Sequence, residues 1–237
     1  SKDDEDMMWD TRDLILDILK PMGERAAPAV PGLIDLLYIE DGHFYDYLRR
    51  SAAKVLEAIG EPVVPFMETI ITIPNAEAAS VASFLGTKWG DRMMPLFTKI
   101  LSDHPEKYSY VKWRVIGILE SLYYADERSN RIVPLIPHIV GALAWVNQCN
   151  WCGAEEALKA FLKNMGEKST PALIQAFVST KSNISSQIVD VLKAQEGKCV
   201  PALVRTLADK NPETRANAAY LLNYIHKDAI PAIPALI

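Results

Sequence analysis

The chain has 237 residues, 49% of them apolar and 23% charged, which supplies a core for one large domain or two small ones and is too apolar for a disordered chain. A formal net charge of −5 speaks against broad attraction to nucleic acid or to an anionic membrane surface, because either needs a basic face. Three cysteines give no even disulfide framework, so a reducing, cytoplasmic setting is expected.

The opening SKDDEDMMWD is acidic where a secretory signal is basic, and residues 1–8 read as a flexible segment ahead of one repeat domain over 9–237. The first helical pattern carries Ile15, Ile18, Leu19 and Met22, the i, i+3, i+4, i+7 face of an α-helix, and ends at Gly23, five residues before Pro28. The connection YIEDGHFYDYLRR follows, a hairpin loop that gathers Glu40, Asp41, Phe44, Tyr45 and Tyr47. Ala52, Val55, Leu56 and Ile59 repeat the helical face, followed by Gly60 and Pro65; WGDRMMP then holds Gly90 and Pro95. The longest apolar run, residues 132–146, contains His138 and two prolines and is shorter than the roughly 20 residues of a spanning helix. Leu158, Phe161, Leu162 and Met165 bring the face back before Gly166 and Pro171, and the shorter EGKCVP holds Gly197 and Pro201. Counted back from Gly197, the sixth copy puts Lys193 and Glu196 on the apolar face, so its first helix is expected to be shorter or more exposed. Ile237 stops inside an apolar helical pattern without a cap, which reads as a fragment or as a chain lacking disordered ends.

The glycine–proline joint therefore recurs. The anchoring prolines are 28, 65, 95, 134, 171, 201 and 231, spaced by 37, 30, 39, 37, 30 and 30 residues, the length of one helical hairpin per repeat. Glycine supplies the left-handed residue that ends a first helix, and proline suits the opening turn of a second. The second and sixth residues after each proline are apolar, from Val30 and Ile34 through to Ile233 and Ile237, and form a buried stripe. The fourth position lies roughly opposite, at about 100° per residue, and holds Gly32, Thr69, Lys99, His138, Gln175, Arg205 and Ala235. With Glu68, Asp103 and Asp209 beside it, this row is the first candidate surface for a protein or peptide partner; the loop with Glu40, Asp41, Phe44, Tyr45 and Tyr47 is the second.

The last repeat, DKNPETRANAAYLLNYIHKDAIPAIPALI, resembles the HEAT repeat through Asp209, Pro212, Arg215, Ala218, Ala219, Leu222 and Ile225, and its 30-residue period is most similar to the bilin-lyase-like subgroup. RRSAAKVLEAIGEPVVPFM is a second good copy; the third and fourth depart most, through NAEAASVASFLGTKWG and YYADERSNRIVP. The resemblance implies an all-α fold, a right-handed α-α superhelix of about seven hairpins, used as a non-enzymatic scaffold or adaptor in the cytoplasm. Two other implied roles are a tetrapyrrole-handling subunit, after the bilin-lyase-like likeness, and a toxin-immunity partner, after a fainter likeness carried by residues 102–122 and 142–162.

Candidate chemistry is sparse. CNWC at 149–152 has the spacing of a redox pair or half a zinc site, but no second pair accompanies it, and a structural role with Asn150 capping a helix is expected. His43 among carboxylates could do acid–base work, against the plainer reading of a solvated connection. The five tryptophans would suit a base-flipping glycosylase of helical-repeat build, but the acidic balance favours packing. Neither a catalytic site nor a resident cofactor or metal is expected, and a nucleic-acid partner is disfavoured.

Overall fold

The computed structural model of the chain describes residues 14–39, 43–102, 109–125, 130–146, 154–179, 185–225, 229–230 and 232–236, and every regular element among them is helical. The chain divides into two compact units, Ser1–Asp126 and Glu127–Ile237. Among the described residues, no helix is long and apolar enough to cross a membrane.

In the first unit, residues 14–19 are helical and run into a 3₁₀ stretch, Lys20–Ala29, which a kink at Gly23 breaks in two before α1 (Val30–Leu37). Then come α2 (His43–Ile59), a 3₁₀ segment Glu61–Phe66, α3 (Met67–Ile71), α4 (Ala76–Lys88), α5 (Gly90–Ser102) and α6 (Ser109–Ala125). Helix α2 packs on α4 and α4 on α6, while α1 lies on α2, α3 on α4 and α5 on α6. In the second unit, Asn130–Leu135 is a 3₁₀ segment, followed by α7 (Ile136–Gly141), α8 (Leu143–Val146), α9 (Ala154–Met165), α10 (Thr170–Ser179), α11 (Ser185–Ala194), α12 (Val200–Thr206), α13 (Pro212–Ile225) and α14 (Ile233–Leu236). There α9, α11 and α13 pack in sequence, as do α7, α10 and α12. Each unit is thus two layers, first helices against second helices, with the core between them.

The core follows the predicted faces where a hairpin lies on both sides. Ala52, Val55, Leu56 and Ile59 of α2 are fully buried, and so are Leu158, Phe161, Leu162 and Met165 of α9. Each large side chain so buried stabilises by about 1.5–3 kcal/mol. The first pattern departs: Leu16 is buried, but Ile15 is 48% and Ile18 55% exposed, because the described residues contain no hairpin ahead of it. The second-helix stripe behaves likewise. Val30, Ile34, Met67, Ile71, Phe97, Leu101, Ile136, Val140, Leu173 and Leu203 are buried, Phe177 and Leu207 half-buried, and Ile233 is 49% exposed on a four-residue helix at the end of the stack.

The joints explain which residue must be glycine. Gly23, Gly60 and Gly166 have positive φ of 54°, 76° and 54°; with ψ of −131° and −121°, Gly23 and Gly60 take a conformation open almost only to glycine, not the left-handed helical one expected of a helix stop. In the sixth copy Glu196 has the positive φ, 52°, with Gly197 after it at 80°. Counting from the proline gives the reason: Gln195 is six residues before Pro201, as Met165 is before Pro171 and Ile59 before Pro65, so Glu196 stands where the others have glycine. The face of α11 is then Ile188, Val191, Leu192 and Gln195, all buried, one residue earlier than the glycine register implies. The expectation of a more exposed helix is thereby corrected, whereas α11, at ten residues, is shorter than α2, α4, α6, α9 and α13, as the other half of that expectation has it.

Gly90 is a second correction. It is the first residue of α5 and has no positive φ; a Cβ there would lie 2.8 Å from Leu122 Cδ1, as one on Gly86 would lie 2.6 Å from Ile118 Cγ2. These two glycines are required by the close approach of α6. Because α5 starts at Gly90, Pro95 falls inside the helix, where it removes one backbone hydrogen bond. Pro28, Pro65 and Pro134 lie in 3₁₀ segments just before their second helices, and Pro171 and Pro201 open α10 and α12 as expected; Pro231 lies outside the described residues.

Candidate functional site

The exposed row of second helices is placed as a surface in each unit. In the first, Gly32, Thr69 and Lys99 are exposed on α1, α3 and α5, with Glu68 beside Thr69. Lys99 Nζ reaches Glu68 Oε1 at 2.5 Å, and Arg92 pairs with Glu61 about two turns earlier, so two ion pairs cross from α5 to the preceding hairpin. In the second, Gln175 and Arg205 are exposed on α10 and α12 and His138 is half-buried on α7; Arg205 Nη2 is 2.8 Å from Glu167 Oε1. Both cations of the row are therefore already matched by a glutamate of the preceding hairpin, and the exposed pairs contribute about 0–1 kcal/mol each.

Asp209 does something narrower than present a charge. Its Oδ1 accepts from Asn211 N–H at 2.8 Å, and its carbonyl accepts from Arg215 Nη1 at 2.8 Å, with Lys210 carbonyl taking a second bond from the same nitrogen at 3.0 Å. It is a turn residue that α13 clamps. Asp103, Glu40 and Asp41 lie outside the described residues. The segment predicted as loop enters α2 at His43, which places Phe44, Tyr45 and Tyr47 in the first turns of a helix, with Tyr47 exposed. Cys149, Asn150 and Cys152 lie outside the described residues; Cys199 is buried, and no group of His, Cys, Asp or Glu that could hold a metal occurs among the described residues.

Polar side chains also tie neighbouring hairpins together at helix ends, where the last carbonyls have no partner in their own helix. In the first unit, Arg114 of α6 donates to the carbonyls of Ile71 (3.0 Å), Ile73 and Asn75 (2.8 Å), and Tyr110 donates to that of Thr72. Burial lowers the Arg114 pKa, partly opposed by Tyr110, and the group keeps its charge. Asn75 caps α4 by accepting from Ala78 N–H at 2.8 Å and reaches back to Leu37 carbonyl at 2.7 Å. In the second unit the same task falls to Gln195. Its Nε2 lies 3.3 Å from Leu162 carbonyl, 3.2 Å from Gly166 carbonyl and 2.9 Å from Ser169 Oγ, and its Oε1 accepts from Thr170 at 3.1 Å.

A groove of about 650 Å³ lies in the second unit, between the end of α10 and the helices α11 and α13. Phe177 stacks on Tyr220 with ring centres 5.9 Å apart, and Tyr220 meets Tyr224 at 4.8 Å with the hydroxyls 2.8 Å apart. That hydrogen bond raises the Tyr220 pKa. Ser185, Ser186 and Asp190 of α11 and Glu213 and Asn217 of α13 add polar groups to its lining. Sequence reasoning assigned Phe177 to the core stripe and passed over Tyr220 and Tyr224. The available signal was their spacing of four residues on α13, off the buried face of Ala218, Leu221, Leu222 and Ile225. A smaller apolar groove of about 310 Å³ lies in the first unit, among Ile15, Leu19, Pro28, Gly32, Leu33 and Leu36. No protein-family model, curated protein or solved structure matches the chain.

Proposed function

We propose that this chain is a protein-binding module of HEAT-like helical hairpins, a scaffold or adaptor without chemistry of its own, which receives its partner on the exposed face of the second helices. The observation that carries the reading is the recurrence, in both units, of a buried stripe with an exposed polar position opposite it: Thr69 and Lys99 in one, Gln175 and Arg205 in the other. A partner can engage these side chains without disturbing the core, since each second helix keeps its apolar contacts on the other side. The bracket of Asp209 by Arg215 supports the HEAT likeness, because the two polar residues that carry the resemblance meet across one turn. Glu68 and Glu167 make the cations of the row half of exposed ion pairs, so an acidic partner exchanges one carboxylate for another and gains specificity more than affinity.

The test is site-specific photocrosslinking in the source cell, with the reactive residue at Thr69 or Gln175 and, as control, at Ser83 on the exposed side of α4. One common adduct from the first two positions and none from Ser83 is expected. Adducts only from Ser83, or from no position, would reject the assignment. An absorbance shift of added bilin, abolished by substitutions in the row, would replace the adaptor reading with a tetrapyrrole-handling one.

A further inference from the structure

The groove of the second unit combines features that the second-helix row lacks. Three aromatic rings, Phe177, Tyr220 and Tyr224, make a connected platform, and Tyr220 is 48% exposed. Two carboxylates, Asp190 on α11 and Glu213 on α13, line the same concavity, and no lysine or arginine does. Glu213 is exposed and in no ion pair among those of the described residues. Asp190 lies 3.5 Å from Lys159, but that ammonium is shared with Glu155 at 2.7 Å and Glu156 at 3.2 Å, so three carboxylates divide one positive charge. The groove's own lining thus carries two negative charges and no positive one. The ring cluster already takes a cation from its own chain: Lys193 Nζ sits 5.3 Å from the centre of the Tyr224 ring.

We propose that this groove docks a basic segment of a protein partner, an arginine side chain lying along the Phe177–Tyr220–Tyr224 platform with its guanidinium directed to Asp190 and Glu213. A planar guanidinium stacks on an aromatic face and pairs with a carboxylate at its edge, and a groove of about 650 Å³ exceeds what one side chain fills, leaving room for the flanking peptide. A nucleic acid would also meet the rings, but its phosphates would face Asp190 and Glu213. The site is separate from the second-helix row, and its test uses none of that row's residues.

The test is fluorescence anisotropy of a labelled Arg-Ala repeat peptide of about ten residues on the full chain at physiological salt, with a Gln-Ala repeat and spermidine as comparison probes. Saturable binding of the Arg-Ala peptide is expected, weakened at least fivefold by Glu213→Gln and at least threefold by Tyr220→Leu. The second change leaves the net charge untouched, so its effect separates the platform from general attraction to an acidic protein. Circular dichroism melts that match the parent certify both variants as folded, and Asn217→Ala gives a further folded variant should either fail to fold, expected to weaken binding by twofold or more. Equal binding of the Gln-Ala peptide, or affinity unchanged in the folded variants, would overturn the assignment. Spermidine competing as strongly per charge as the peptide would overturn the choice of a protein partner.

Discussion

The two units solve one problem with different chemistry. Where a hairpin meets the next, backbone carbonyls at a helix end must find donors, and a charged, half-buried guanidinium does this in the first unit while a buried neutral amide does it in the second. Arg114 brings donors only, so it satisfies carbonyls of Ile71, Ile73 and Asn75 and leaves nothing of its own to be accepted. Gln195 brings donors and an acceptor, so it also closes a ring with the hydroxyls of Ser169 and Thr170. The difference teaches that exposure decides the choice. A half-buried joint keeps water as a fallback, whereas a joint 1% exposed needs every polar atom matched inside the protein.

The sharpest way to break this comparison is Gln195→Leu, which keeps bulk but removes every bond of the buried amide, leaving the carbonyls of Leu162 and Gly166 only the hydroxyls of Ser169 and Thr170 as side-chain donors. A loss of about 3 kcal/mol is expected in urea unfolding followed by circular dichroism. A loss below about 1 kcal/mol would show that water or a shifted side chain replaces the amide. Arg114→Met removes the donors at the connection between α3 and α4 of the first unit but keeps the aliphatic stem, and should cost about 1.5 kcal/mol, because the freed carbonyls can recruit solvent. If it cost more than Gln195→Leu, exposure would not be the deciding variable.

The stop residues sharpen the contrast in the opposite direction. Glu196→Gly puts the commoner residue at a φ of 52° and should stabilise by about 1 kcal/mol, seen as a higher thermal midpoint, since a side chain is strained in that region. A destabilised variant would mean that the Glu196 side chain makes a contact worth more than the strain. Smallest of all, Lys99→Gln should cost no more than about 0.5 kcal/mol, and that only at low salt, because both members of its pair with Glu68 are well exposed. A salt-independent loss would assign Lys99 to the core.

Much of the helical pattern was legible because it rests on periodicity that any stack of hairpins must obey, as in Ala52, Val55, Leu56 and Ile59. What misled was the glycine. Gly90 and Gly60 look alike in sequence, yet at the first only the space left by Leu122 speaks for glycine, whereas at the second a φ of 76° adds to the Trp89 ring 2.9 Å from where a Cβ would lie, and a one-dimensional pattern does not separate space from torsion. The register of the sixth copy was recoverable from its proline, which marks where the second helix starts, and not from its glycine, which had moved one place along the turn. The groove was least legible. Phe177 fits a core stripe by spacing, and only the neighbouring hairpin, through Tyr220, turns its ring into the wall of an opening.

The Gln195 ring also governs how the second unit breathes. Separating α11 from the turn after α9 would break bonds to Leu162, Gly166, Ser169 and Thr170 at once, so neither hairpin can open alone without exposing the polar remainder of the other. In amide hydrogen exchange the residues on both sides of this joint should therefore lose protection together, as one opening event with a single free energy, while amides of the four-residue helix that carries the half-exposed Ile233 exchange through a cheaper opening of their own.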